Sequence, residues 1–99
     1  MSRLEGANLS SSILDHTNLK GINLEKAFLF GANLRYANLA GANLKDAALA
    51  SANLRNANLK EANLEGADLT NSNLEGAHFE KTKLDGANLK GTILENKDS

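Results

Sequence analysis

The side chains that could carry out chemistry are spread along this sequence and do not form a motif. Its two histidines, His16 and His78, are candidate bases or metal ligands, but they stand far apart in the chain. No hydroxyl is paired with a base, no glycine-rich loop is suited to phosphate, and no cysteine is present. The sequence therefore predicts a protein that is not an enzyme and that uses no metal or cofactor.

The charged side chains are evenly mixed along the chain. The 11 basic and 12 acidic residues give a net charge of -1, which provides no field that would gather nucleic acid or anionic lipid. The first residues have no apolar stretch typical of a signal peptide, and no apolar run approaches the roughly 18 residues of a membrane span. We therefore expect no nucleic-acid partner, no membrane association and a cytoplasmic location.

A repeat of five residues positions these side chains. A leucine, replaced once by Phe79, stands at every fifth position from Leu4 to Leu94, nineteen times without a gap. A small residue, mostly alanine, stands two positions before each of them, and Ile22 is the one bulky exception. The repeat predicts one domain over residues 2–96 and a short polar tail at 97–99.

A period of five fits neither a straight helix nor a continuous strand. On a helix the leucines would drift by about 140° per unit, and on a strand they would alternate between the two faces. Each unit must therefore contain a turn. All eight glycines fall two residues after the central apolar residue, where a type II turn requires a positive φ, and Asp46, Asn56, Asn71 and Asn96 share that position. Four turns of about 90° would close a 20-residue coil and stack each residue on the one 20 positions later, about 4.8 Å away.

The A(N/D)LXX pattern resembles the pentapeptide-repeat family. This resemblance implies an all-β fold, a right-handed quadrilateral β-helix, in which the central and the small residues point inward and the turn types alternate. Nineteen units at four per coil give about 4.75 coils with a packed interior and no pocket. Six units after the first lack Asn or Asp before the central residue, and we expect these departures to affect the surface: Ile13, Phe28, Ala48, His78, Lys83 and Ile93.

Residues that stack 20 apart form vertical columns on the outer walls. Three walls carry consecutive asparagines, for which we expect ladders of amide hydrogen bonds along the axis. Opposite charges also stack, and these pairs are predicted to fix the register: Lys26 beneath Asp46, Lys60 beneath Glu80 and Glu61 beneath Lys81. Arg35 beneath Arg55 is the exception, which indicates either an anion site or two side chains that spread into water.

The fourth wall interrupts the polar surface with aromatic residues. Phe28 and Phe30 flank Leu29 and are expected to point outward, with Ala48 and Ala50 in the next coil and Tyr36 around the corner. Two exposed phenylalanines make a patch of about 300 Å², a size that is often functional. The alternative is that the rings only cover the backbone of the wall.

These features predict a protein-interaction or scaffold module without catalysis, whose partner is another protein or a second copy. Two alternatives are a DNA mimic of the kind in this family that acts on DNA gyrase, which the balanced charge disfavours, and a structural spacer or fragment of a larger protein. End-to-end association is also expected. Phe79 widens the core near one end, and the C-terminal dimers of the family imply contact there.

Overall fold

Single bridge residues joined by turns make up the backbone of the computed structural model, which describes residues 3–95. Parallel bridges pair residues 20 apart at fourteen places, from Arg3 with Asn23 to Asp68 with Asn88. Within residues 3–95 no helix or longer strand forms. Each 20-residue stretch is termed a layer, and the predicted stacking of residues 20 apart is confirmed.

Backbone hydrogen bonds connect each layer to the next around every bridge. At the bridge of Phe28 with Ala48, the N–H of Leu29 donates to the Ala48 carbonyl at 2.7 Å. The N–H of Ala48 donates to the Ala27 carbonyl at 2.9 Å. This pairing ends at the last bridge, and in residues 91–95 the N–H of Gly91 instead donates to Glu95 Oε1 at 3.0 Å. The predicted domain limits at residues 2 and 96 lie outside the described residues.

All turns in the described chain have the same conformation. Every fifth residue from Gly6 to Gly91 has a φ between 57° and 81°, whereas none of the residues just before them has a positive φ. The turn closes through a backbone hydrogen bond such as that from Ala57 N–H to the Leu54 carbonyl, at 2.9 Å. These features define type II turns. The expected alternation of turn types is therefore wrong. Most turn residues donate their backbone N–H to the layer beyond, and the turn residues of the last layers keep the same conformation without that bond.

Leucine and alanine fill the interior, as predicted. The central leucines from Leu24 to Leu74 are at most 1% exposed, and the alanines of the same layers are buried beside them. Ile22, the bulky exception, also belongs to this core at 8% exposure. Apolar residues of the first and last layers are only partly buried. The packed interior leaves the outer walls as the place for function.

The asparagines before the central residues hold the turns. Each accepts, through Oδ1, a hydrogen bond from the backbone N–H two residues later, at 2.9–3.2 Å. The twelve acceptors are Asn8, Asn18, Asn23, Asn33, Asn38, Asn43, Asn53, Asn58, Asn63, Asp68, Asn73 and Asn88. No hydrogen bond joins stacked amides in residues 3–95, so the predicted axial ladders are wrong. A local backbone donor satisfies these oxygens first, as in an Asx turn.

Asp68 is the acidic member of this set, and Thr70 is its donor. The Thr70 hydroxyl and the Thr70 backbone N–H both donate to Asp68 Oδ1. These two hydrogen bonds lower the pKa of Asp68 below its usual 3.8. The bond from the hydroxyl has the largest effect and the bond from the backbone N–H the second largest, while partial burial of the carboxyl raises the pKa. Both hydrogen bonds favour the ionised carboxylate.

Removing the hydroxyl in Thr70→Val should raise the pKa of Asp68, whereas Thr70→Ser should leave it low. Because the folded pKa lies below the unfolded one, this hydrogen bond stabilises the fold above pH 3.8 and is lost as the pH falls through the folded pKa. The stability difference between wild type and Thr70→Val should therefore shrink in strong acid. Carboxyl NMR titration and melting curves at neutral and acidic pH test this, and an unchanged Asp68 midpoint would contradict it.

Ser72 leaves one buried oxygen without a partner. Its side chain is 3% exposed, and its Oγ has no hydrogen bond. At the same place in their units, Thr17 and Thr92 donate to the carbonyl three residues earlier, at 2.6 and 2.7 Å.

Ser72→Ala should raise the free energy of unfolding by about 1 kcal/mol, because it removes an unpaired buried hydroxyl. Thr17→Ala is the matched comparison and should lower stability, since its hydroxyl is bonded. Urea unfolding of the three proteins measures both changes. A clear loss of stability in Ser72→Ala would contradict the assignment.

Candidate interaction surface

Two phenylalanines stand out from one wall of the rod. Phe28 is 46% exposed and Phe30 is 45% exposed, while Leu29 between them is fully buried. The predicted outward placement of both rings is therefore confirmed. Nearly half of the surface of each residue faces solvent, so the pair presents apolar surface on this wall.

In the next layer, the same two columns continue with small side chains. Ala48 is bridged to Phe28, and the carbonyl of Ala50 accepts the N–H of Gly31 at 3.1 Å. Both alanines are half-buried, and their methyl groups project much less than a phenyl ring. The Phe28 face is defined by the outward residues of this wall in five layers: Asn8 and Ser10, Phe28 and Phe30, Ala48 and Ala50, Asp68 and Thr70, Asn88 and Lys90.

The apolar residues of the Phe28 face take the place of turn-holding asparagines. Because Phe28 and Ala48 carry no side-chain oxygen, no such acceptor reaches the backbone N–H of Phe30 or Ala50, unlike Ser10 and its acceptor Asn8. Asx caps of this kind stabilise the turns that they close. Two successive layers of the Phe28 face therefore lack the side-chain hydrogen bond that stabilises the turn in other units.

Tyr36 belongs to a separate cluster at another corner. Tyr36 is the turn residue that ends the unit containing Asn33, one unit after Phe30 in the chain. Its ring stacks on His16, with centroids 4.8 Å apart and planes 7° from parallel. The Arg35 guanidinium lies 5.7 Å from the Tyr36 centroid. Sequence reasoning missed the stack, although the 20-residue spacing of the two rings signals it.

The charge columns pair differently from the prediction. In residues 3–95 the ion pairs within 4.0 Å are Arg3 with Glu5 at 3.4 Å and Arg55 with Glu75 at 3.1 Å. The predicted pairs at Lys26, Lys60 and Glu61 do not form, which fits the small free energy of exposed ion pairs. Arg55 turns to Glu75 and Arg35 to Tyr36, so the two arginines do not converge on an anion site.

A shallow depression lies beside Tyr36 on the outer walls. It is open to solvent, and its lining is mostly polar: Tyr36, Ala37, Asn38, Asn56, Asn58, Lys60, His78 and Glu80. In residues 3–95 no group of three or more histidine, aspartate or glutamate side chains is placed to hold a metal ion. The depression brings His78 near Tyr36 but shows no paired acid and base.

Phe79, the predicted end contact, lies partly buried in the last complete layer. Its side chain packs against the core of the rod. It stands 20 residues after Leu59, so a phenyl ring follows a leucine in that inner column. No helix that could span a membrane is present in residues 3–95.

Comparisons with known proteins agree with this architecture. The family model for pentapeptide repeats matches eight copies, over residues 2–29, 27–66 and 57–96. A pentapeptide repeat protein from the cyanobacterium Cyanothece 51142 is 43% identical, with a TM-score of 0.89 over 92% of this chain and 63% of that one. One from the Arabidopsis thaliana thylakoid lumen is 36% identical, with a TM-score of 0.88 over 91% of this chain and 63% of that one.

More distant likeness shows the fold alone. The plasmid-mediated fluoroquinolone resistance protein QnrB1 is 19% identical, with a TM-score of 0.71 over 91% of this chain and 52% of that one. No curated protein matches the sequence. The chain spans less than two thirds of the length of the cyanobacterial and plant proteins. With the family model matched along residues 2–96, this chain belongs to the pentapeptide-repeat family.

Proposed function

We propose that this chain is a protein-binding module without catalytic activity and that the Phe28 face is its binding surface. The underlying architecture is inferred to be a right-handed quadrilateral β-helix of about 4.75 coils. Four turns in every 20-residue layer, short dimensions of 21 and 20 Å, and the likeness to pentapeptide repeat structures support this inference. A rod of this kind presents flat walls, which suit contact with another macromolecule.

Catalysis is a poor fit to the same geometry. Enzyme sites bring several polar groups together in a cleft that excludes water. Here the interior is filled with leucine and alanine, and the depression beside Tyr36 is open to solvent. The side chains that could do chemistry therefore act separately on the surface.

The exposed pair Phe28 and Phe30 is the observation that carries the proposal. Large aromatic side chains at the centre of an interface often contribute 2 kcal/mol or more, in rough terms, when a partner covers them. The Phe28 face presents two such rings within three residues, whereas the neighbouring wall carries Asn33 and Asn53 in the same layers. Two exposed phenylalanine rings close together offer a partner a distinct place to bind.

A DNA-mimic function has less support. The likeness to QnrB1 is at 19% identity and concerns the fold. A mimic of duplex DNA needs regular rows of negative charge, but the net charge here is -1 with basic residues throughout the chain. We therefore place the function on the aromatic wall and not on the charge of the rod.

The double variant Phe28→Asn with Phe30→Ser should stay folded and lose partner binding. The introduced asparagine can accept from the N–H two residues later, as Asn8 does, so the melting temperature should stay the same or rise. Circular dichroism melts measure the fold, and quantitative capture from an extract of the source cells measures binding.

Ile93→Asn is the matched control, because it removes a side chain that is also 46% exposed but stands outside the Phe28 face. The control should keep the partner that the double variant loses. Unfolding of the double variant would show that the rings serve mainly to cover the backbone. Undiminished capture by a folded double variant would place binding elsewhere.

A further inference from the structure

The Phe28 face has side chains of two different heights, and this shape indicates which partner would bind there if the proposed function holds. We infer that a second copy of this chain binds the Phe28 face, with the two rods antiparallel. The face carries a high pair of residues, Phe28 and Phe30, directly beside a low pair, Ala48 and Ala50, in the same two columns. A surface with a raised pair next to a matching recessed pair is complementary to itself.

One symmetry operation brings these pairs together. A two-fold axis can lie in the contact plane, at right angles to the rods and midway between the layers of Phe28 and Ala48. Phe28 then meets Ala48 of the second copy, and Phe30 meets Ala50 of the second copy. Because the contact is isologous, each ring pair fills the low area of the other copy.

The flanking layers also match under this operation. Asn8 faces Asp68 of the second copy, and Ser10 faces Thr70 of the second copy. Asp68 is the only formally charged residue of the Phe28 face in the four overlapping layers, since Lys90 lies beyond them. The Asn8 amide therefore faces the carboxylate, and no like charges meet.

A parallel pairing of the same faces is less complementary. It would place Phe28 on Phe30 of the second copy and Ala48 on Ala50 of the second copy. The stacked rings would then hold the walls apart at the alanine layer and leave a gap there, which loses contact energy. Antiparallel packing fills the same layer with a ring.

The size of the contact predicts a weak dimer. Four layers at about 4.8 Å, on a wall no wider than the rod, bury on the order of 800 Å² in total, below the roughly 1,200–2,000 Å² of stable complexes. We therefore expect dissociation constants between about 10 µM and 1 mM, because affinity at this size depends on the few central residues. Association should be measured by sedimentation equilibrium up to millimolar protein.

Exchanging the high and low residues within one chain tests the pairing directly. Phe30→Ala removes a ring from the contact, and Ala50→Phe makes two rings collide, so each should weaken association by about tenfold or more. The combined variant Phe30→Ala with Ala50→Phe restores a ring opposite an alanine in both contacts. Its association should return to within roughly threefold of wild type, because the two sites meet each other across the axis.

The matched control moves the ring to another wall. Phe30→Ala with Ala40→Phe has the same composition and uses the same position within its unit, and it should remain as weak as Phe30→Ala. Circular dichroism should show all variants folded, since Phe30 already occupies the equivalent position one layer below Ala50. The exchange Phe28→Ala with Ala48→Phe repeats the test in the other column if Ala50→Phe fails to fold.

Two results would overturn the dimer: a wild-type chain that is monomeric at 1 mM, or folded exchange variants that associate no better than the single variants. The proposed function is judged separately. If wild type is monomeric but Phe28→Asn with Phe30→Ser loses a different bound protein, the dimer fails and the binding surface stands. If that double variant both associates and captures as wild type does, both proposals fail.

Discussion

Every layer of this rod is tied to the next through the backbone N–H of a residue in the left-handed conformation. The N–H of Asn56, at a φ of 61°, donates to the Glu75 carbonyl at 2.9 Å, and most of the other turn residues do the same in their layers. A unit with one bridge residue has too little strand to hold a sheet by itself. The turn donors supply the further hydrogen bonds that join the layers, so the stack depends on the turn conformation.

This requirement fixes the backbone but leaves the outward side chains free. In residues 3–95, ten residues other than glycine hold a positive φ, although such a conformation is uncommon for them. Several of these side chains reach toward the next layer: a Cβ added to Gly76 would overlap Asn56 Oδ1. A polar turn residue followed 20 positions later by glycine is therefore a vertical packing pair. The inner residues are restricted to leucine, alanine and similar sizes, so differences in function must appear on the outer walls.

The sequence predicts the features that depend on the five-residue period. It does not predict which hydrogen-bond or ion-pair partner an outward side chain takes. Spacing alone gives the stacking of Phe28 on Ala48 and the outward direction of both phenylalanines. It does not tell whether Asn33 bonds to Arg35 N–H or to the amide of the next layer, because both partners lie within reach and the local geometry decides. The 20-residue spacing also relates His16 to Tyr36, which stack, and Arg55 to Glu75, which form an ion pair. Other oppositely charged residues at the same spacing, such as Lys60 and Glu80, form no ion pair within 4.0 Å.

Departures from the repeat are most informative where they fall inside the stack. Six described units after the first lack the Asx cap, and only Phe28 and Ala48 do so in adjacent layers of one column. Both lie in layers whose interior is fully buried. Their turns are held by backbone hydrogen bonds alone, whereas the turns of capped units have an additional hydrogen bond from a side chain. A cap would stabilise these units at no steric disadvantage, since twelve others carry one. The fold therefore does not require the rings and bare alanines, which supports the proposal that the Phe28 face is a binding surface.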